Sequence, residues 1–158
     1  MSAKLTHLNE RGEAHIVDVG EKPLTARRAV ARARLEAQPE TIAAIAGGTL
    51  KKGDALAVAR IAGIMAAKKT AELIPLCHPI ALNRVEVEIE AAGRQITITA
   101  SAETNDRTGV EMEAMTAASV AALTLYDMAK GIDRAMRIST VELVEKSGGK
   151  SGTFRRDG

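Results

Sequence analysis

The segment from Val85 to Ser101 constrains the fold most strongly, because it alternates apolar and polar residues on both sides of a short turn. Aliphatic residues alternate with glutamates up to Glu90, and from Ile96 onward they alternate with threonine and serine. A period of two predicts strands with one buried and one solvated face. Residues 91–94 supply the turn, so the segment is predicted to be a β-hairpin whose apolar face needs a cover.

Two long apolar segments flank the hairpin and predict helices that provide this cover. The first runs from residue 55 to residue 73 behind Asp54, a good N-cap, and the second runs from residue 109 to residue 130. A shorter helix is predicted over 39–45, opened by Pro39 and ended by the following glycines.

Three further strands are predicted at residues 15–19, 29–35 and 137–145. The resulting order, β-β-α-α-β-β-α-β, predicts an α+β fold of the ferredoxin-like, split βαβ type. In this fold an antiparallel sheet carries helices packed on one face.

The 158 residues predict a single domain, 1–158, with an irregular N-terminal arm at 1–12 and a mobile Gly/Ser/Lys-rich tail at 146–158. No apolar run approaches the ~18 residues that a membrane span needs. The N-terminal residues lack the apolar stretch of a secretory signal, and Cys77 is the one cysteine. These features favour a cytoplasmic protein without membrane contact.

Composition also argues against nucleic-acid binding. The net charge is +2, and the chain has no Trp, one Tyr and one Phe, too few rings for a base-stacking platform. A core of small aliphatic side chains buries little area per residue, which favours further burial between subunits.

The familiar nucleotide-binding motifs are absent. Residues 146–152 resemble half of a phosphate loop, but Val144 stands where the first glycine is required, and no GxGxxG motif follows a strand. Two interpretations of this Gly/Lys segment remain open: a strip that closes over phosphate, or a solvated tail.

Pro75 and Pro79 brace a loop that contains Cys77 and His78. One cysteine and three histidines give no pair at zinc-ligand spacing, so no metal site is predicted. His78 is interpreted as a polar contact or proton carrier, and the alternative is an ordinary loop histidine.

Two groups of charged residues suggest an anion site and an acid/base pair. Lys52, next to Lys51, precedes a helix N-terminus, which favours an anion, although two solvated lysines would look the same. Asp127 and Lys130 share one helix face among apolar neighbours, so Asp127 is expected to be partly buried and usable for proton transfer. The alternative is a surface ion pair.

Glu111 and Glu113 lie in the first turn of the same helix, where the helix dipole alone could explain them. Glu113 and Asp127 are fourteen residues apart, roughly 21 Å along a helix. If both are functional, either the ligand is long or the pocket joins two subunits; the second option, a site at a two-fold interface, is our hypothesis.

Several longer motifs, taken together and in this order, resemble the cyclic pyranopterin monophosphate synthase family of molybdenum cofactor biosynthesis. They are LIPLCHP at 73–79, TGVEMEA at 108–114, LYDMAK at 125–130 and KSGGKSG at 146–152, with GEAHIVDV at 12–19 and KGD at 52–54.

The resemblance implies a lyase that converts 3′,8-cyclo-7,8-dihydro-GTP into cyclic pyranopterin monophosphate and releases pyrophosphate. It also implies a ferredoxin-like subunit in a homohexamer, a trimer of dimers, with active sites between subunits. No tightly bound cofactor is expected, although Mg²⁺ could accompany the triphosphate.

The resemblance also implies which residues of this chain form the site, namely those at the positions that match the family's motifs. The catalytic candidates are Lys52, Asp127 and Lys130. The substrate-binding candidates are Arg27, Leu76, Cys77, His78, Glu111, Met112, Glu113 and Lys146. Lysines and arginine suit a triphosphate, and Asp127 suits proton transfer. One alternative function is a non-catalytic nucleotide-binding regulatory module, which would need the anion pocket but not Asp127. The other is a pure assembly protein, which would leave the lysines near helix ends unexplained.

Overall fold

The computed structural model describes residues 6–157, and this part of the chain folds into an antiparallel sheet with helices against one face. The sheet order is β2-β3-β1-β4-β5, so the predicted α+β, ferredoxin-like split βαβ fold is confirmed. The strands are β1 (Thr25–Glu36), β2 (Arg84–Ala92), β3 (Gln95–Asp106), β4 (Arg137–Ser147) and β5 (Phe154–Arg155). The helices are α1 (Pro39–Gly47), α2 (Ala55–Lys68), α3 (Thr70–Leu73) and α4 (Glu111–Ala129).

Strand β1 lies at the centre of the sheet and pairs with β3 on one side and with β4 on the other. Its apolar residues, from Ala29 to Leu35 at every second position, are fully buried under the helices. The alternate positions carry arginines, such as Arg32, which pairs with Glu142 of β4 on the open face. One strand therefore separates an aliphatic core from an ion-paired surface.

The two long helices approach each other closely because their contact is built from very small residues. A methyl group at Gly63 of α2 would lie 3.0 Å from the carbonyl oxygen of Ala117 in α4. Ala118 and Ala121 of α4 are fully buried in the same core. The close contact fixes the position of α4, whose two ends carry the candidate site residues.

Two of the predicted elements differ in the structure. The strand predicted at 15–19 is wrong, since these residues form no strand. The carbonyl of Val17 instead accepts a hydrogen bond from the His78 side chain at 2.6 Å. This side chain supplies the donor that a neighbouring strand would supply in a sheet. The helix predicted at 55–73 is interrupted at Lys69, where φ is −109°, and continues as the single turn α3.

The predicted terminal segments lie partly outside the described residues. Residues 1–5 of the predicted arm and residue 158 of the predicted tail belong to that undescribed part. In the rest of the arm, Leu8 forms an isolated β-bridge with Ala14. In the rest of the tail, β5 pairs with the end of β4.

Between residues 6 and 157, no helix has the length and apolarity that crossing a bilayer requires.

Candidate active site

The first group of site residues, here called the Asp127 cluster, consists of Lys52, Asp127 and Lys130. Lys130 Nζ lies 2.9 Å from Asp127 Oδ1, and Lys52 Nζ lies 3.3 Å from Oδ2. Lys52 Nζ also donates to the backbone carbonyl of Asp127 at 3.0 Å. The loop before α2 thereby reaches the last turn of α4 and brings together all three catalytic candidates.

Both lysines hold Asp127 in its ionised form. Hydrogen bonds from Lys130 and then Lys52 lower the pKa of the Asp127 carboxyl, and Asp127 in turn raises the pKa of Lys130. The expected partial burial of Asp127 is wrong, since its side chain is 56% exposed. Asp127 lies in the last full turn of α4. The buried apolar residues of this turn face the core, whereas the Asp127 carboxylate is on the solvent-exposed side. The cluster therefore presents two cations and a carboxylate to any ligand that reaches this surface.

The second group surrounds a cavity of about 290 Å³ at the other end of α4, here called the Glu113 pocket. Glu113 forms its buried wall, with 2% of its surface exposed. Cys77 Sγ approaches Glu113 Oε2 at 3.6 Å, and Glu113 Oε1 is buried without a hydrogen-bond partner among residues 6–157. The other lining residues are His7, Ile74, Leu76, Cys77, His78, Ile80, Thr108, Gly109, Glu111 and Met112.

Burial sets the protonation of this pocket. Desolvation raises the pKa of the Glu113 carboxyl. Desolvation, followed by the charge of Glu113, raises the pKa of the Cys77 thiol to about 11, so the thiol stays protonated at neutral pH. Cys77 is therefore a hydrogen-bond donor in this pocket, and a thiolate nucleophile is disfavoured.

His78 holds the N-terminal segment against the pocket. Its Nε2–H donates to the carbonyl of Val17, as described above, so Nδ1 is the ring atom left for other partners. His7, from the same N-terminal segment, lines the cavity. The sequence carried no signal for His7, because its proximity depends on the path of an irregular segment.

Arg27 and Lys146 lie beside the Glu113 pocket on neighbouring strands. Lys146 Nζ forms an ion pair with Glu111 Oε1 at 2.7 Å. Arg27 donates to the carbonyls of Asp106 and Arg107 at 3.1 and 3.3 Å. The structure therefore brings the eight substrate-binding candidates to one end of α4.

The Asp127 cluster and the Glu113 pocket stay apart within one chain. Both belong to α4, and the fourteen residues between Glu113 and Asp127 span roughly 21 Å of helix. A single small substrate cannot touch both groups in one copy of the chain.

In the described part of the chain, no group of three or more His, Cys, Asp or Glu side chains is arranged to hold a metal ion. The Glu113 pocket has one thiol and two carboxylates near its wall, but Glu111 is engaged by Lys146.

Comparison with known proteins relates the chain to one protein family and to curated relatives. The model of the MoaC family matches residues 16–149, which include every candidate site residue above. A curated relative from Thermomicrobium roseum, named cyclic pyranopterin monophosphate synthase, is 59% identical over 157 residues, covering 98% of this chain and 95% of the relative.

Proposed function

The chain belongs to the MoaC family, and we propose that the Asp127 cluster and the Glu113 pocket together form its active site. It is a lyase of molybdenum cofactor biosynthesis. It converts 3′,8-cyclo-7,8-dihydro-GTP into cyclic pyranopterin monophosphate and releases pyrophosphate. The observation that carries the site assignment is the geometry of Asp127, whose two carboxylate oxygens each lie within 3.3 Å of a different lysine.

The Asp127 cluster suits the phosphoryl step. A ribose-derived hydroxyl forms a new bond to the innermost phosphorus atom, and the bond from that phosphorus to the pyrophosphate oxygen breaks. The ionised carboxylate of Asp127 accepts the hydroxyl proton. Lys52 and Lys130 neutralise negative charge on the phosphoryl oxygens as pyrophosphate leaves.

The Glu113 pocket suits the base. Most of its lining surface is apolar, and the pocket ends in a buried carboxyl group with one oxygen unpaired among the described residues. Guanine-derived rings present adjacent N–H groups, which a carboxylate oxygen can accept, and Glu113 Oε1 is the free acceptor. His78 Nδ1 remains for the proton transfers that open and rebuild the ring, while the Cys77 thiol donates to the other oxygen of Glu113.

The separation of the two groups favours a site shared by two copies of the chain. We propose a homohexamer, a trimer of dimers, in which the Asp127 cluster of one subunit faces the Glu113 pocket of another. We also propose a cytoplasmic enzyme that acts without a tightly bound cofactor; Mg²⁺ could accompany the triphosphate.

Substitution of the Asp127 cluster tests the assignment. We expect Asp127→Ala and Lys52→Ala each to lower the rate of pyrophosphate release from the cyclised nucleotide by about 10²–10⁴-fold. Arg94→Ala, a cation lost from the turn between β2 and β3, is the matched control and should retain the wild-type rate. Circular dichroism and size-exclusion chromatography check that the fold and the assembly persist. Near-normal turnover in either cluster variant would refute its role.

A further inference from the structure

We propose that His7 is a second proton carrier of the Glu113 pocket, which works together with His78 while the ring of the base is opened and rebuilt. His7 lines the pocket although it lies far from the other lining residues in the chain. Its side chain is exposed, and its ring has no hydrogen-bond partner among residues 6–157. The role rests on the proposed active site, whereas the position of His7 at the pocket rests on the structure itself.

The acidic groups of the pocket are already engaged. The Cys77 thiol donates to one oxygen of Glu113, and the other oxygen is the acceptor for the base in the proposed site. Glu111 forms an ion pair with Lys146 at 2.7 Å. Among the described titratable residues that line the pocket, the two histidines are therefore the ones left to carry protons.

His78 alone cannot serve both sides of the reaction. Its Nε2–H donates to the carbonyl of Val17, so Nδ1 is the one ring nitrogen that can exchange a proton with the substrate. One nitrogen either gives or takes a proton at a given moment. The ring of His7 offers the pocket a second nitrogen that can be in the opposite protonation state.

Opening and rebuilding the ring requires both protonation states. When a ring C–N bond breaks, its electron pair stays on the nitrogen, and this nitrogen takes a proton from an imidazolium. When the new C–N bond forms, the attacking nitrogen uses its lone pair and releases a proton to a neutral imidazole. One proton is given and one is taken, so the pair of histidines ends with its roles exchanged. Because the His7 side chain is exposed, it can restore the starting state by exchange with water.

A small hairpin in the N-terminal segment holds His7 at the pocket. The His15 N–H donates to the His7 carbonyl at 2.9 Å. At the turn, Asn9 Oδ1 accepts from the backbone N–H groups of Arg11 and Glu13 at 2.9 and 3.0 Å. These bonds tie the backbone of residue 7 to the second half of the hairpin.

The GEAHIVDV motif at 12–19 connects the hairpin to the loop of His78. The motif contains no candidate site residue, yet Gly12 has a φ of 78° in the hairpin turn, a conformation that favours glycine. Val17, five residues later, is the residue whose carbonyl binds His78. One motif therefore fixes the orientation of His78 and the position of His7.

Chemical rescue by imidazole separates a proton carrier from a structural residue. His7→Ala removes the ring but leaves the backbone hydrogen bonds of the hairpin. We expect it to lower kcat for formation of cyclic pyranopterin monophosphate by about 10²-fold, with little change in KM. Imidazole added to the buffer should restore part of the lost kcat, because the vacated position is open to solvent. His7→Gln fills that position, so it should stay slow with imidazole present.

His15→Ala is the matched control, because it removes the other histidine of the hairpin, whose side chain lies outside the described lining of the pocket. We expect it to keep the wild-type kcat and not to respond to imidazole. Size-exclusion chromatography checks that the assembly persists in every variant.

Each other outcome overturns a defined part of the proposal. A wild-type kcat in His7→Ala, or an equal loss in His15→Ala, would overturn the special role of His7. A slow His7→Ala that imidazole does not restore, or one that changes KM alone, would make His7 a binding or structural contact and overturn the proton transfer. Failure of the proposed function would look different, because wild type itself would then form no product from the cyclised nucleotide.

Discussion

Glu113 is a buried carboxyl group whose proposed role in ligand binding comes at the expense of stability. It lies in the first turn of α4, where a glutamate is expected to be solvated and to favour the helix dipole. In the structure it is buried, with one oxygen facing the Cys77 thiol and the other without a partner in the described part of the chain. A buried acceptor without a donor costs free energy in the unliganded protein, and a ligand with a matching N–H recovers it.

This cost predicts that Glu113→Gln stabilises the protein while removing activity. Because desolvation raises the native pKa of Glu113, the native state binds the proton more tightly than the unfolded state does. Stability therefore falls as pH rises from the unfolded pKa, near 4.5, through the native pKa. At neutral pH we expect the variant to be more stable than wild type by about 1 kcal/mol.

Urea unfolding from about pH 4 to about pH 8 measures this effect, and the gain should grow with pH. Glu111→Gln is the matched control. It removes a carboxylate two residues away in the chain, one that forms an ion pair with Lys146. The control should be no more stable than wild type at any pH. A Glu113→Gln protein less stable than wild type at neutral pH would contradict the argument.

At the scale of elements, the sequence correctly predicted the helices and strands whose apolar pattern is local and strong. The hairpin at 85–101 and the helix at 109–130 are confirmed because each has many residues that agree on one period. The strand at 15–19 failed because its short alternating pattern has no strand beside it, and Val17 bonds a loop histidine instead. The contact between Cys77 and Glu113 joins two distant segments, and residue spacing could not predict the burial that it brings.

Helix α1 shows a similar long-range dependence, because its N-terminus is capped from outside the helix. The side chain of Gln38, at the N-cap, makes no capping hydrogen bond. Asp133 instead accepts the Gln38 N–H and the Thr41 hydroxyl, both at 3.0 Å. Asp133 is 9% exposed and lies in the turn after α4, so it ties the start of α1 to the end of α4.

Asp133→Ala should therefore destabilise the protein by about 1–2 kcal/mol. Asp133→Asn keeps a hydrogen-bond acceptor and serves as the matched control, with a smaller loss at neutral pH. The hydrogen bond from the Gln38 N–H lowers the pKa of Asp133, so its stabilisation is present above the unfolded pKa of 3.8 and is lost as pH falls through the native pKa. Thermal unfolding at neutral and acid pH measures both effects. Acid sensitivity that is equal in wild type and Asp133→Asn would contradict this role.

At the scale of the whole molecule, one long helix carries two groups of candidate site residues that cannot meet within one chain. The Glu113 pocket and the Asp127 cluster lie at opposite ends of α4. On α2, which packs against α4, Val58, Ile61 and Met65 are 43%, 59% and 49% exposed. This exposed apolar face lies on the helix that packs against α4. It supports the proposal that another subunit covers the face and completes each candidate site.

Mixing two inactive variants tests this arrangement directly. In a dimer of Glu113→Ala with Asp127→Ala, one site carries both substitutions and the other carries neither. Equal mixing after dissociation and reassociation should therefore restore about a quarter of wild-type pyrophosphate release, since half of the dimers are mixed and each has one intact site.

The matched control mixes Glu113→Ala with His78→Ala, two variants of the same pocket. Each site of that mixed dimer carries one substitution in its pocket, so no activity should return. Native mass spectrometry verifies that mixed assemblies form in both experiments. Mixed assemblies that stay inactive with the first pair would mean that each site belongs to a single subunit. The substrate would then have to span the roughly 21 Å of helix between Glu113 and Asp127. Activity that returns with the control pair would mean that Glu113 and His78 of one chain act in different sites, which contradicts the pocket as assigned.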